Sequence, residues 1–317
     1  MATLSLDFSP VSKRGSASIP KPLTVVGRVY FEGPHSFVAT HYFPSYQSEV
    51  FRGEVKADEG NEYVQEVVCK YREKDIFGLE REANHYQHNL RELQGIVVPR
   101  FYGLYKGTRI DEYGKERTVA CLILEHCQAD HSVSCWERSL EIKEDIAYGM
   151  LDIHFAGLKH NNFDDDHILV SERGEVRIID FDQATAHTCS AKDDINVWGY
   201  EQSEVKFGCF EMCDVINELE LWTPVAVTLL GMGFGIFSYP TPDLLAAEYL
   251  RGMGLLKDCV EDKVKQKAKE ALDKYYAKYG ERFQTIGHPK DIKKKLDMWR
   301  EQEREAERQR PTGESHA

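Results

Sequence analysis

The chain has 317 residues, 42% of them hydrophobic, and a formal net charge of -13. That is enough for a core and long enough for one two-lobed domain or two small ones. The acidity excludes an electrostatic nucleic-acid binder, which needs Lys and Arg clustered against phosphates, and favours small ligands or basic partners.

Residues 1–22 are rich in Ser, Pro and Lys without periodicity and read as a mobile arm. From Leu23 to Leu124 the pattern is strand-like: Val25 to Phe31, Phe37 to Ala39, Val50 to Val55, Tyr63 to Tyr71, and Phe101 to Leu104 pairing with Val119 to Leu124 across a turn at Asp111 to Lys115. One helix interrupts these strands, with Leu79, Tyr86, Leu90 and Leu93 on one face and Gly95 as its stop. Beyond Leu124 helices take over, at Ser139 to Phe155 and at Cys209 to Leu230 with a break at Pro224. Between them Ile168 to Val170 and Val176 to Ile179 flank a hairpin turn at Glu172 to Glu175. Residues 257–310 are helical in composition, with charges spread around Leu272, Tyr275 and Tyr276, and 311–317 read as a frayed tail. Gly231 to Gly235 imitates a phosphate loop but follows a helix-like run, so a packed turn is the better reading.

The eight cysteines form no C-x-x-C pair and no Cys/His group with zinc-finger spacing. Several lie in apolar runs such as Val67-Val68-Cys69, which suggests reduced, buried thiols in a cytoplasmic or nuclear protein. Met1 to Pro10 has no signal-peptide pattern. The longest apolar stretch, Pro224 to Phe237, falls short of the about 20 residues that span a bilayer, so no membrane contact is expected.

Across residues 46–215 an ordered set of motifs resembles protein kinases, and Leu93-Gln94-Gly95, Val98-Pro99 and Tyr102-Gly103 resemble the helix-to-strand connection of fungal kinase-like proteins. Val67-Val68-Cys69-Lys70 resembles the V-A-I-K strand, whose Lys grips ATP phosphates and pairs with a helix Glu. Glu82, on the inward stripe with Tyr86 and Leu90, is the partner the resemblance implies. Leu122 to Cys127 resembles the fifth strand and hinge, with Leu124 as gatekeeper and the backbone of Glu125 and Cys127 facing adenine. Asp180-Phe181-Asp182 resembles D-F-G, which places Asp180 on magnesium. Tyr86, His160 and Phe181 would stack as the spine between lobes. The fold so implied is α+β: a two-lobed protein-kinase-like fold with a small antiparallel β-sheet lobe carrying one helix (23–127), a mainly helical lobe (128–256) and a helical extension (257–310).

The departures fall in the catalytic loop. Aligned on His160, the catalytic Asp becomes Asn162, the Lys becomes Asp164 and the metal-binding Asn becomes His167. An amide is no base at neutral pH, and a lost general base forfeits about 10²- to 10⁴-fold in rate. Asp164 adds negative charge where a cation would stabilise the moving phosphoryl group, and imidazole is a poor ligand for Mg²⁺. The stretch Pro44 to Gly53 stands where a G-x-G-x-x-G loop is expected and holds only Gly53. An A-P-E motif is also lacking after Asp182. The resemblance therefore implies a pseudokinase that binds ATP and Mg²⁺ through Lys70, Glu82 and Asp180. The alternatives are a slow protein or small-molecule phosphotransferase with Asp164 or Asp166 as substitute base, or a scaffold that binds no nucleotide and docks a protein through 257–310.

Overall fold

Alternating apolar and polar residues dominate the first third of the chain, and they build a sheet that closes on itself. The computed structural model describes residues 2–8, 11, 23–29, 34–43, 48–57, 64–73, 75–110, 113–191, 194–254 and 258–309. Seven strands form the barrel: β1 (Ala2–Asp7), β2 (Leu23–Val29), β3 (Pro34–Phe43), β4 (Glu49–Ala57), β5 (Val64–Glu73), β6 (Phe101–Ile110) and β7 (Glu116–Glu125). Their spatial order is β1-β2-β6-β7-β5-β4-β3, closed by a parallel β1/β3 pair. One parity of side chains fills the interior: Leu4, Leu6 and Phe8, then Phe37 and Phe51, then Val67, Cys69 and Tyr71, then Val119, Cys121 and Ile123. Gly53 faces this packing. A Cβ there would lie 2.3 Å from the Val38 carbonyl and 2.5 Å from the Phe37 ring, so Gly53 serves the close approach of β3 and β4.

The opposite parity of β5 and β7 points outward and meets helix α1 (Phe77–Gln87). Ala120, Leu122 and Leu124 are buried there, as are Leu79, Ala83 and Tyr86 of the helix. The first unit, Met1–Asp193 with Phe207–Val215, continues through α2 (Leu140–Phe155), β8 (Leu158–Lys159), the hairpin of β9 (Ile168–Val170) and β10 (Val176–Ile178), and β11 (Thr185–Ala186). A single turn, α3 (Glu204–Phe207), and helix α4 (Phe210–Glu218) follow.

The second unit, Asp194–Lys206 with Ile216–Ala317, holds its own core. Strands β12 (Ala226–Leu229) and β13 (Met232–Gly235) pair as a hairpin, and α5 (Pro242–Met253), α6 (Asp258–Tyr279), α7 (Phe283–Ile286) and α8 (Pro289–Gln309) follow. Val264, Ala268, Leu272, Tyr275 and Tyr279 repeat along one face of α6 and are buried with Val227, Leu229 and Leu245. No helix among the described residues is long and apolar enough to cross a membrane.

The expected two-lobed kinase-like fold, a small antiparallel sheet lobe beside a mainly helical one, is therefore corrected. The sheet is a closed barrel with a parallel pair, and the division falls near residue 194 rather than at 127. The physical cause lies in residues 2–7, read as part of an arm. Leu4 and Leu6 alternate with polar neighbours, continue into Phe8, and supply the strand that closes the barrel between β2 and β3. Within the expected extension at 257–310, the apolar face of α6 and Phe283 belong to the second unit's core. The helix expected at Cys209 to Leu230 ends at Glu218, and the apolar run beyond Pro224 forms β12. The glycines at 231–235 make the hairpin turn and β13. Residues 9–10, 12–22, 30–33, 44–47, 58–63, 111–112 and 310–317, which include most of the expected arm, the first four positions of the expected phosphate loop and the frayed tail, lie outside the described residues.

Candidate functional site

Lys70 points away from the barrel interior because Cys69 and Tyr71 point into it. The residue is 7% exposed, and its ammonium meets a carboxylate from the helix outside: Nζ lies 2.7 and 3.0 Å from the two oxygens of Glu82, which is fully buried on α1. A third contact of 2.7 Å runs to Asp180 Oδ1, on the segment after β10. An ammonium has three N–H donors, and here all three have carboxylate acceptors. Burial alone would lower the Lys70 pKa, but Glu82 and Asp180 outweigh it and hold the group above its ordinary value. Burial likewise acts to raise Asp180, yet Lys70, through its charge and its hydrogen bond, keeps it below the usual carboxylate range.

Asp180 itself sits in the left-handed region, with φ 73° and ψ 68°, a conformation Asp tolerates better than most residues. The turn that follows is bound to the same two elements that carry Lys70 and Glu82. Asp182 is buried and accepts from Arg72 Nη2 at 2.7 Å, while its carbonyl accepts from Arg81 Nε at 2.6 Å. Arg72 lies two residues beyond Lys70 on β5, and Arg81 is adjacent to Glu82 on α1. Strand, helix and loop are thus cross-linked twice. Gly78 makes room for this, since a Cβ at that position would lie 2.1 Å from Arg72 Nη1. Phe181 between the two aspartates is buried, 5.6 Å from the Tyr86 ring and 5.0 Å from that of His160.

His160 and His167 frame the loop. Burial lowers the pKa of His160 and keeps its ring neutral, so Nε2–H donates to the Ile179 carbonyl at 3.0 Å and Nδ1 accepts from the Asn162 N–H at 3.3 Å. His167 Nδ1 donates to the Asn162 carbonyl at 2.8 Å, which aims Nε2 at Asp180 Oδ2, 3.2 Å away. In a neutral ring that nitrogen carries a lone pair, so two acceptors face one another. Such a pair calls for a proton or a metal ion between its members. Cis ligands of an octahedral ion at about 2.1 Å stand about 3.0 Å apart, close to this separation.

The structure thus brings together Lys70, Glu82, Asp180 and His167 from positions scattered over the chain. Asn162 joins them only through its backbone. Asp164 and Asp166 are exposed, and among the described residues neither has a bond to Lys70, His167 or Asp180. Asp165, which the sequence did not single out, accepts from the Cys135 N–H at 2.7 Å and so ties the loop to a neighbouring turn. At the end of β7 the Glu125 N–H is already used on the Arg100 carbonyl at 2.8 Å. The Glu125 carbonyl faces the Cys127 Sγ at 3.9 Å, and burial pushes that half-buried thiol up to about 12. Sequence reading also missed Arg72 and Arg81. Two cations spaced to flank the Lys70 and Glu82 positions, one on each element, are the signal that could have found them. Compared with protein-family models and with curated proteins, the chain matches none.

Proposed function

We propose that the first unit binds a nucleoside triphosphate with a divalent cation at Lys70, Glu82 and Asp180, and acts as a nucleotide-binding regulatory module of the pseudokinase type without efficient phosphoryl transfer. The observation that carries this reading is the buried Lys70 ammonium shared between Glu82 and Asp180. A polyphosphate can take over the donor now given to Asp180, which frees that carboxylate for the cation, while Glu82 keeps the ammonium aimed. The Arg72–Asp182 and Arg81–Asp182 bonds hold strand, helix and loop in register before any ligand arrives, so little ordering cost attends binding. The order of the motifs, similar to that of kinase-like proteins, supports the same assignment on a barrel scaffold.

Chemistry beyond binding lacks its groups. Asn162 supplies no base, and the exposed Asp164 and Asp166 are not bonded to Lys70 or Asp180. The cation position pairs a carboxylate with an imidazole, which suits Mn²⁺ better than Mg²⁺. Calorimetric titration of the full chain with ATP and either cation tests this reading. Expected are tighter binding with Mn²⁺, at least a tenfold loss in Lys70→Met, and loss of the cation dependence in Asp180→Asn. Unchanged affinity in both variants would overturn the assignment.

A further inference from the structure

A second cluster lies in the same unit, made of residues the nucleotide reading does not use. His154 in the last turn of α2, His187 and Cys189 beyond β11, and Cys209 immediately before α4 bring one ligand atom each to within 4.8 Å of all the others. Cys209 Sγ lies 3.5 Å from His154 Nδ1 and 3.7 Å from His187 Nε2, and the two imidazole rings are 5.0 Å apart, edge to face. A tetrahedral zinc ion with bonds of about 2.3 Å to sulfur and about 2.1 Å to nitrogen sets a sulfur-to-nitrogen edge of about 3.6 Å. Both observed edges fall there.

The surroundings are those of a ligand set. His154 Nε2 donates to Glu211 Oε2 at 2.6 Å, which leaves the lone pair on Nδ1, the atom facing Cys209. Glu211 is buried and fixed in turn by the His160 N–H at 3.0 Å and the Asn161 N–H at 2.6 Å. The Cys209 carbonyl accepts from the Cys213 N–H at 3.1 Å, so Cys209 caps the nine-residue helix α4. Cys189 and Cys209 are both free thiols.

We infer that His154, His187, Cys189 and Cys209 form a structural Cys₂His₂ site for zinc. Two thiolates balance the charge of the ion, and four protein ligands leave no position open for substrate. The ion pins the His187–Cys189 segment to the end of α2 and the start of α4. Through Glu211 it also steadies the His160–Asn161 turn that leads into the degenerate loop. This inference does not depend on nucleotide binding.

The test is elemental analysis and zinc-edge X-ray absorption on the full chain purified without added metal, followed by Co²⁺ exchange. Expected are about one zinc per chain, a first shell of two sulfurs and two nitrogens, and the strong visible bands of tetrahedral Co²⁺ with thiolate charge transfer. Cys189→Ser and His187→Asn should lose the metal, Cys135→Ser should keep it, and Glu211→Gln should weaken affinity about 10- to 100-fold while preserving the shell. A zinc-free chain that gives no thiolate–Co²⁺ bands on titration overturns the inference, as does a shell without sulfur or a Cys189–Cys209 disulfide in place of the ion. The absorption measurement needs no variant, so a substitution that fails to fold leaves the decision intact.

Discussion

The two sides of the candidate site are built to different standards. On one side Lys70, Glu82 and Asp180 are joined by contacts of 2.7–3.0 Å and backed by the Arg72–Asp182 pair. On the other, the loop from Asn162 to Asp166 is held through backbone atoms and Asp165, with Asp164 and Asp166 in solvent. Binding a charged ligand needs the first kind of construction and transferring a group needs both. The contrast is what the proposed function requires, a site built to hold a charged ligand beside a loop that is not built to act on it.

The largest effect should come from breaking the cradle at its most buried point. Glu82→Ala leaves an ammonium under α1 with Asp180 as its remaining partner. Removing one member of a buried pair costs about 3–5 kcal/mol, which urea denaturation would register. Asp182→Gly deletes the acceptor of Arg72 Nη2. A loss of about 1.5–3 kcal/mol is expected, with faster amide exchange confined to residues 180–186; unchanged exchange would show that the cross-link does not order the loop.

The cradle should also respond to pH at both ends of the scale. The folded-state pKa of Lys70 is raised, so its contribution to stability is complete below about pH 10.4 and is lost as the pH climbs through the folded value. Asp180 is depressed, so its contribution is complete above about pH 3.9 and disappears as the pH falls through its folded value. Denaturation midpoints followed across both limits should lose the alkaline limb in Lys70→Met. The smallest effect belongs to the loop. Asp164→Ala and Asp166→Ala should each move stability by no more than about 0.5 kcal/mol and leave nucleotide affinity where it was; a tenfold change in affinity would place the loop in the site after all.

Much of the cradle was legible in the sequence. Glu82 interrupts a helical stripe and so demanded a partner, whereas Lys70, inside β5, and Asp180, beyond β10, were singled out by their likeness to kinase motifs. The barrel was not legible. Leu4, Leu6 and Phe8 carry the period of a strand, but a short alternation beside a Ser- and Pro-rich tract looks like an arm until the sheet edge it completes is known. The same limit applied at Ala226–Leu229, where a short apolar run without periodicity fits helix and strand equally. The Cys₂His₂ cluster escaped for another reason. Its members are separated by an entire hairpin and two loops, and only the packing of α2 against the start of α4 makes them neighbours.

Thermal unfolding of the full chain with and without ATP, each with and without Mn²⁺ or Mg²⁺, tests the central claim most directly. A ligand at about 100 times its dissociation constant stabilises by about 2.7 kcal/mol, so the expected result is a higher midpoint with ATP and cation together and a smaller one with ATP alone. An unmoved midpoint with saturating ATP and either cation would contradict nucleotide binding at Lys70, Glu82 and Asp180.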